Sequence, residues 1–293
     1  SAYIFRRTGA NSWDTGSKIV AADGMFNDCF GRSVSISGDY AIVGGHWWQH
    51  NDGGKAYIFQ RTGTNGTNSW DTGTKISPSD GAAGDQFGFS VSIGEDFAIV
   101  GAFQDDDGGD RSGSAYIFQR TGATGTNTWD AGTKIVASDG AAKDLFGSSV
   151  SISGDYAIVG AYWDDDNGSR SGSAYIFQRT GTNSWDAGTK ITASDGAASD
   201  QFGRSVSISG DYAIVGAGSD DDNGASSGSA YIFGRTGTNS WDAGTKITAS
   251  DGAVGDVFGL SVSISGDYAI VGAYGDDDNG TDSGSAYIRW IAP

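Results

Sequence analysis

Apolar residues enter this chain in short bursts of a few fixed kinds. One kind alternates, as in Ser205-Val206-Ser207-Ile208, where every second side chain is apolar. A second is a continuous run, Tyr212-Ala213-Ile214-Val215-Gly216-Ala217. A third reads Ser229-Ala230-Tyr231-Ile232-Phe233, and a shorter fourth reads Thr245-Lys246-Ile247-Thr248. Alternation at period two predicts a half-buried strand. Short runs rich in Val, Ile and aromatics predict strands covered on both faces. No stretch carries helical periodicity over a useful length. Gly, Asn, Asp and Ser stand between the bursts, and these residues favour turns. The Gly210-Asp211 pair after the first burst suits a type II′ hairpin, which puts Gly where φ must be positive. The four bursts are designated strands a, b, c and d.

The set recurs. Phe-Gly opens it at Phe30, Phe87, Phe146, Phe202 and Phe258, at spacings of 57, 59, 56 and 56 residues. Self-similarity at such a period marks a repeat architecture. Four antiparallel strands per unit predict an all-β fold, a β-propeller of five four-stranded blades, with a β-solenoid as the alternative. The expected organisation is one domain over 1-293. Its blades lie near 25-81, 82-140, 141-196, 197-252 and 253-293, preceded by N-terminal strands in 1-24.

One strand is left over. Strand c occurs six times, because Ser1, Ala2, Tyr3, Ile4 and Phe5 repeat it ahead of the first full unit, and the last unit has no strand d of its own. The N-terminal strand d, about 17-20, is therefore expected to close the ring beside 285-289. The extra strand Ser1 to Phe5 is then an edge, and edges seek partners. Pairing with another subunit would give a homo-oligomeric ring or an open filament.

The phrases Phe202-Gly203-Arg204-Ser205-Val206-Ser207-Ile208 and Ala213-Ile214-Val215-Gly216-Ala217, recurring nearly throughout, resemble the FG-GAP repeats, the family of the integrin α-subunit propeller. The resemblance implies a propeller, secreted or at the cell surface, that serves adhesion, ligand binding or carbohydrate binding. The chain departs from the integrin-like pattern in one respect. A calcium loop of the type DxDxDG lies between strands a and b there, whereas here the connection is only Gly154-Asp155 or its equivalents. Two residues leave no room for the six or more oxygens that calcium takes, so that site does not carry over.

The charge is lopsided as well as large. With 18 basic and 36 acidic residues the chain carries a formal charge of −18. Phosphate binding needs clustered Lys and Arg, so nucleic acid is not an expected partner. No apolar run approaches a membrane span, and insertion is not expected. The b–c and d–a connections of a propeller share one face, and together they hold 25 of the 36 acids. Asp105, Asp106 and Asp107 form one triplet there; Asp164, Asp165 and Asp166, then Asp220, Asp221 and Asp222, and finally Asp276, Asp277 and Asp278 form the others. No cofactor is required, but these triplets make calcium a candidate ligand through their oxygens. A consecutive run is not the alternating pattern of an EF-hand, and Asp also serves turns. The c–d segments hold 11 of the 18 basic residues, which predicts an opposing, more basic face suited to stacking discs.

Aromatic residues add two readings. Trp13, Trp70, Trp129, Trp185 and Trp241 recur before Asp in the c–d segment. They read as packing between blades, with sugar stacking as the alternative. The first b–c loop departs from the pattern, with Trp47 and Trp48 between the chain's two histidines, His46 and His50. Trp47 and Trp48, with Trp163 and Tyr274 from other b–c loops, are candidate ligand contacts on the acidic face. No nucleophile elbow, Walker loop or zinc-protease motif occurs. The expected function is non-enzymatic binding of a glycan or cell-surface protein, with self-assembly through the spare strand and the charged faces as the alternative.

Overall fold

The computed structural model describes residues 1–45, 53–64, 67–123 and 125–291. Among them every regular element is a strand. Each full unit is an antiparallel meander. In the third unit strand a is Ser149–Ser153, b is Tyr156–Ala161, c is Ser173–Gly181 and d is Thr189–Ile191. The first, second and fourth units repeat the order a-b-c-d. A four-stranded meander of this kind is consistent with a propeller blade.

Burial follows the sequence pattern. Along Ser149–Ser153 the valine and isoleucine are buried while the serines remain half-exposed. Strand b is buried almost end to end, because a blade has a neighbour on each face. Gly154 and Gly210 turn a into b with φ of 57°, the positive value a type II′ hairpin needs at its first position.

Consecutive units pack face to face. Ile158, Ala174 and Ile176 of the third unit meet Phe202, Val206, Ile208, Val215 and Tyr231 of the fourth. The a strands lie side by side on the inside. The Ile208 N–H donates to Ser151 Oγ of the preceding unit at 3.1 Å, and Ile152 and Ile264 repeat the bond to Ser92 and Ser207. On the loop face, the backbone of each d–a connection bonds the preceding b–c connection. Leu145 N–H donates to Arg111 O at 3.2 Å, and Phe146 N–H to Ser112 O at 3.0 Å. The b–c and d–a loops thus share a face, as expected.

One approach between units requires glycine. A Cβ on Gly160 of strand b would lie 1.9 Å from the carbonyl oxygen of Gly203, the Phe-Gly glycine of the next unit. Gly44, Gly101 and Gly216 stand in the same relation to Gly88, Gly147 and Gly259.

The expected clasp is not formed. Ser17–Ile19 pairs with Ala2–Ile4, not with the last unit, in the register Ala2↔Ile19, Tyr3↔Lys18, Ile4↔Ser17. That pair packs on the first unit, with Ile19 against Val43, Tyr57 and Phe59. The last unit is consequently three-stranded: Phe258–Ser265, Tyr268–Ala273 and Ser285–Trp290. The first and last units do not cover each other. Val34 and Ile36 are 59% and 57% exposed at one end, and Ile270 and Ile288 are 44% and 71% exposed at the other. The array is an open, propeller-like arc. The physical reason is competition: Ser1–Ile4 and Ser285–Ile288 both read Ser-Ala-Tyr-Ile, and Ser17–Ile19 can pair with only one of them.

Candidate ligand-binding face

Three of the four aspartate triplets are held by lysine, and no lysine pairs with the fourth, Asp276 to Asp278, among the described residues. Lys190, in strand d, reaches over the loop face and meets Asp139, Asp164 and Asp166 at 2.8, 2.8 and 2.5 Å. Lys134 holds Asp80, Asp105 and Asp107 in the same way, and Lys246 holds Asp195, Asp220 and Asp222. A buried tyrosine completes each cluster: the Tyr175 hydroxyl lies 2.7 Å from Asp139 and 3.1 Å from Asp164. The first aspartate of a triplet also caps its own loop, Asp164 Oδ1 accepting the Asp166 N–H at 3.1 Å. Burial would raise the Asp105 carboxyl, but Lys134, the Asp107 N–H and Ser114 together hold it below the usual value.

These lysines come from the c–d side of the sequence yet neutralise acids of the loop face, so the charge division between faces is smaller than segment counts imply. The arginines opposite are paired too. Arg120 meets Asp96 of its own a–b turn at 2.5 Å, and its guanidinium stacks on Tyr40 of the preceding unit at 5.3 Å. Arg179 and Arg235 repeat this with Asp155 and Asp211, over Phe97 and Tyr156.

Among the described residues no group of three or more His, Cys, Asp or Glu side chains is arranged to hold a metal ion. With lysine on three of the triplets, and hydroxyl and N–H donors on all four, the residues do not offer calcium the free ligands it takes. A second carboxylate row lies behind them. Asp85, Asp144 and Asp200 are buried, and each accepts an N–H from its own d–a loop. Desolvation pushes each up to about 6, with the nearby triplet carboxylates adding to the rise. The first unit solves the same problem differently. Lys55 stands where the others have serine, is 3% exposed, and lies 2.9 Å from Asp28.

Trp129, Trp185 and Trp241 pack between units, whereas Trp13, expected to do the same, is 61% exposed. Trp129 meets Tyr40 of the preceding unit edge-on at 6.0 Å, and its indole N–H donates to Asn127 at 2.8 Å. Asn127 in turn donates to Ile58 O and Asp71 of that unit. Trp185 on Phe97 and Trp241 on Tyr156 repeat the contact.

A different aromatic group occupies the inner rim of the loop face. The residue after Phe-Gly and the residues that follow strand b meet there. Arg204 lies over the Tyr162 ring at 5.3 Å, Arg170 lies over Trp163 at 4.2 Å, and Tyr162 and Trp163 are edge to face at 5.9 Å. Arg204 also donates to Gln201 at 2.9 Å. Between the first two units Arg32 covers Phe89 at 4.9 Å, and Phe89 contacts Phe103 at 4.3 Å. Tyr162 is half-buried, and burial raises its hydroxyl pKa.

Of the predicted contacts, Trp163 belongs to this rim. Tyr274 occupies the Tyr162 position two units further on and is 62% exposed; Gly218 fills that position in the unit between. The structure therefore does not bring Trp163 and Tyr274 together. Trp47 and Trp48 lie outside the described residues. Arg32, Phe89, Phe103, Tyr162, Arg170 and Arg204 were missed. The available signal was disagreement among the copies: the residue after Phe-Gly reads Arg32, Phe89, Ser148, Arg204 and Leu260, within text that is otherwise repeated.

Sequence comparison bears on this frame. The FG-GAP repeat matches residues 13–59, 70–118, 129–177, 185–233 and 241–289. The chain belongs to the FG-GAP repeat family. FG-GAP repeats build propeller-like domains of the ligand-binding or adhesion type and are typical of extracellular or cell-surface proteins. A comparison with curated proteins found no match. Each FG-GAP match begins at the packing tryptophan position and ends in strand c, so the family unit runs d-a-b-c. Strand Ala2–Ile4 falls outside all five.

Proposed function

We propose that this FG-GAP domain is a non-enzymatic binding module of a secreted or surface-exposed protein, and that its ligand seats on the inner rim of the loop face. One observation carries the proposal. Where the units are free to differ, they place arginines and aromatic rings in stacked pairs at a single rim. Tyr162, Trp163, Arg170 and Arg204 form the fullest of these groups.

The chemistry suits a glycan. Aromatic faces take the apolar face of a sugar ring, and guanidinium groups donate paired hydrogen bonds to hydroxyl or carboxylate oxygens. Stacking on the rings pre-orients both arginines and reduces the entropy lost on binding. In the second to fourth units the acidic and tyrosine groups of the face are engaged with lysine, which leaves the rim as its open set of donors. Differences between units imply a ligand contacted by one or two units rather than five equivalent sites.

A glycan array probed with the wild-type domain and with the Trp163→Ala/Arg204→Ala variant tests this. Binding by the wild type that the variant loses at least tenfold supports it. A blank array with correctly folded wild-type protein, or a variant that binds equally, rejects it.

A further inference from the structure

Neighbouring units serve as controls for the rim, because the repeat supplies each position more than once. Arg170 of the third unit and Arg111 of the second are equivalent: each precedes Ser-Gly-Ser, and each has a positive φ, 57° and 55°. Arg111 follows Asp110 and lies 3.9 Å from its carboxylate. Arg170 follows Ser169 instead and lies over Trp163 at 4.2 Å, a ring whose place in the second unit is taken by Gln104. Two changes in one loop, acid to hydroxyl and amide to indole, thus free a guanidinium and give it a stacking surface.

The fourth unit adds a second guanidinium. Arg204, at the position of Ser148 in the third unit, lies over Tyr162 at 5.3 Å and donates to the neutral Gln201 at 2.9 Å. Arg170 and Arg204 make no ion pair among the described residues, although both are exposed on the face that holds 25 of the 36 acids. On the same face Lys134, Lys190 and Lys246 each meet three carboxylates. Asp165, in the loop that carries Arg170, likewise makes no ion pair among the described residues, so the loop contains an acid that Arg170 leaves unused. Burial raises the Tyr162 hydroxyl pKa, and the charges of Arg204 and Arg170 both draw it back, so the two cations converge on one group.

A guanidinium stacked on a ring keeps its edge N–H groups, and a parallel pair of these matches the two oxygens of a carboxylate. The ring also fixes the fork before a ligand arrives. A neutral hydroxyl gains little from the positive charge, so two unpaired guanidiniums are more than an uncharged sugar uses. A densely charged polymer fits poorly, because the acids around the rim repel every anionic group that the two arginines do not neutralise. We propose, resting on the glycan reading of this rim, that the ligand is a glycan with isolated carboxylates, a uronic or sialic acid, whose carboxylate is taken by Arg170 and Arg204 while its ring lies against Tyr162 and Trp163. The site joins the third unit to the start of the fourth. Arg32 over Phe89, with Phe103 beside it, is a partial copy that has a single guanidinium and no hydroxyl or indole N–H.

The test prints uronic-acid-bearing and sialylated glycans beside their carboxyl-reduced forms and dextran sulfate. The full chain, Arg170→Gln/Arg204→Gln and Trp163→Ala are each applied. The expected result is that the wild type binds one carboxylated set at least tenfold more tightly than its reduced form, and the set that binds identifies the acid. Arg170→Gln/Arg204→Gln should bring the two forms to the same level, whereas Trp163→Ala should weaken binding to both. Equal binding of carboxylated and reduced forms by the wild type would overturn the carboxylate and leave the rim as a site for neutral glycans. A preference that survives in Arg170→Gln/Arg204→Gln would overturn the assignment to these two arginines. Tightest binding to dextran sulfate would overturn the isolated charge. A blank array with folded wild-type protein would reject the glycan reading itself, and the carboxylate with it.

Discussion

Gly160→Ala tests how the units are joined. The new Cβ would lie 1.9 Å from Gly203 O, 2.4 Å from Ser149 Oγ and 2.9 Å from Gly203 C. An ordinary carbon–oxygen contact is about 3.3 Å, so the next unit must retreat by more than an ångström. Its closest bonds would break first: Ser149 Oγ to Gly203 O at 2.8 Å, Phe202 N to Ser171 O at 2.9 Å, and Ile208 N to Ser151 Oγ at 3.1 Å. Each is worth about 1 kcal/mol net. Loosening of the apolar contact behind them adds a further 1–2 kcal/mol, for a total of about 4 kcal/mol. Gly272→Ala is the matched control. It is the same residue of strand b in the last unit, but only Ser261 Oγ lies close, at 2.5 Å, and that side chain can rotate. Its cost should be within about 0.5 kcal/mol, since alanine is the better strand residue. Urea unfolding followed by tryptophan fluorescence, in dilute solution, reads both values. Equal costs for the two variants would refute the packing between units described above.

Three other outcomes follow from the geometry. Lys190→Met strands Asp139, Asp164 and Asp166 without their cation and should cost about 3 kcal/mol in urea unfolding, while the equivalent loss at Lys18→Met in dilute solution should be near zero. Stability should peak near pH 5 rather than pH 7. Asp85, Asp144 and Asp200 sit at about 6 when folded, above the 3.8 of a free carboxyl. Their contribution is therefore complete below about 4 and lost as pH rises through 6, at about 1 kcal/mol each after solvent screening. Asp80, Asp139 and Asp195 lie below the ordinary value because Tyr and Lys hydrogen bonds outweigh burial, so their contribution is lost as pH falls below 4. Thermal midpoints across pH check the sign, and a monotonic fall from pH 7.5 to 5 would contradict it. Lys55→Ser, which restores the residue of the other units, leaves Asp28 buried beside a loop without its usual partners; it should destabilise by about 3 kcal/mol, and Lys55→Arg should not restore stability in so closed a space.

The sequence made the strands and their order legible because each burst carries its own periodicity and recurs five times. The shared face of the b–c and d–a loops followed from that order, and the packing tryptophans from their constant position. The clasp was not legible. Ser1–Ile4 and Ser285–Ile288 have the same text, and text alone does not rank two identical strands for one partner. The lysine clusters were missed for a different reason: Lys190 belongs to one segment by sequence, yet its four-carbon stem delivers the ammonium to another face. The ligand rim was hidden because repeats draw attention to what recurs, whereas Tyr162, Arg170 and Arg204 lie at positions that vary.

The most direct test of the central claim is hydrogen exchange by mass spectrometry on the wild-type domain, with and without the glycan that binds it most tightly on the array. Slowed exchange confined to peptides spanning 161–171 and 200–205 is the predicted result. Protection centred instead on the c–d segments around Trp185 or Trp241 would place the ligand on the other face and contradict the assignment of the inner rim.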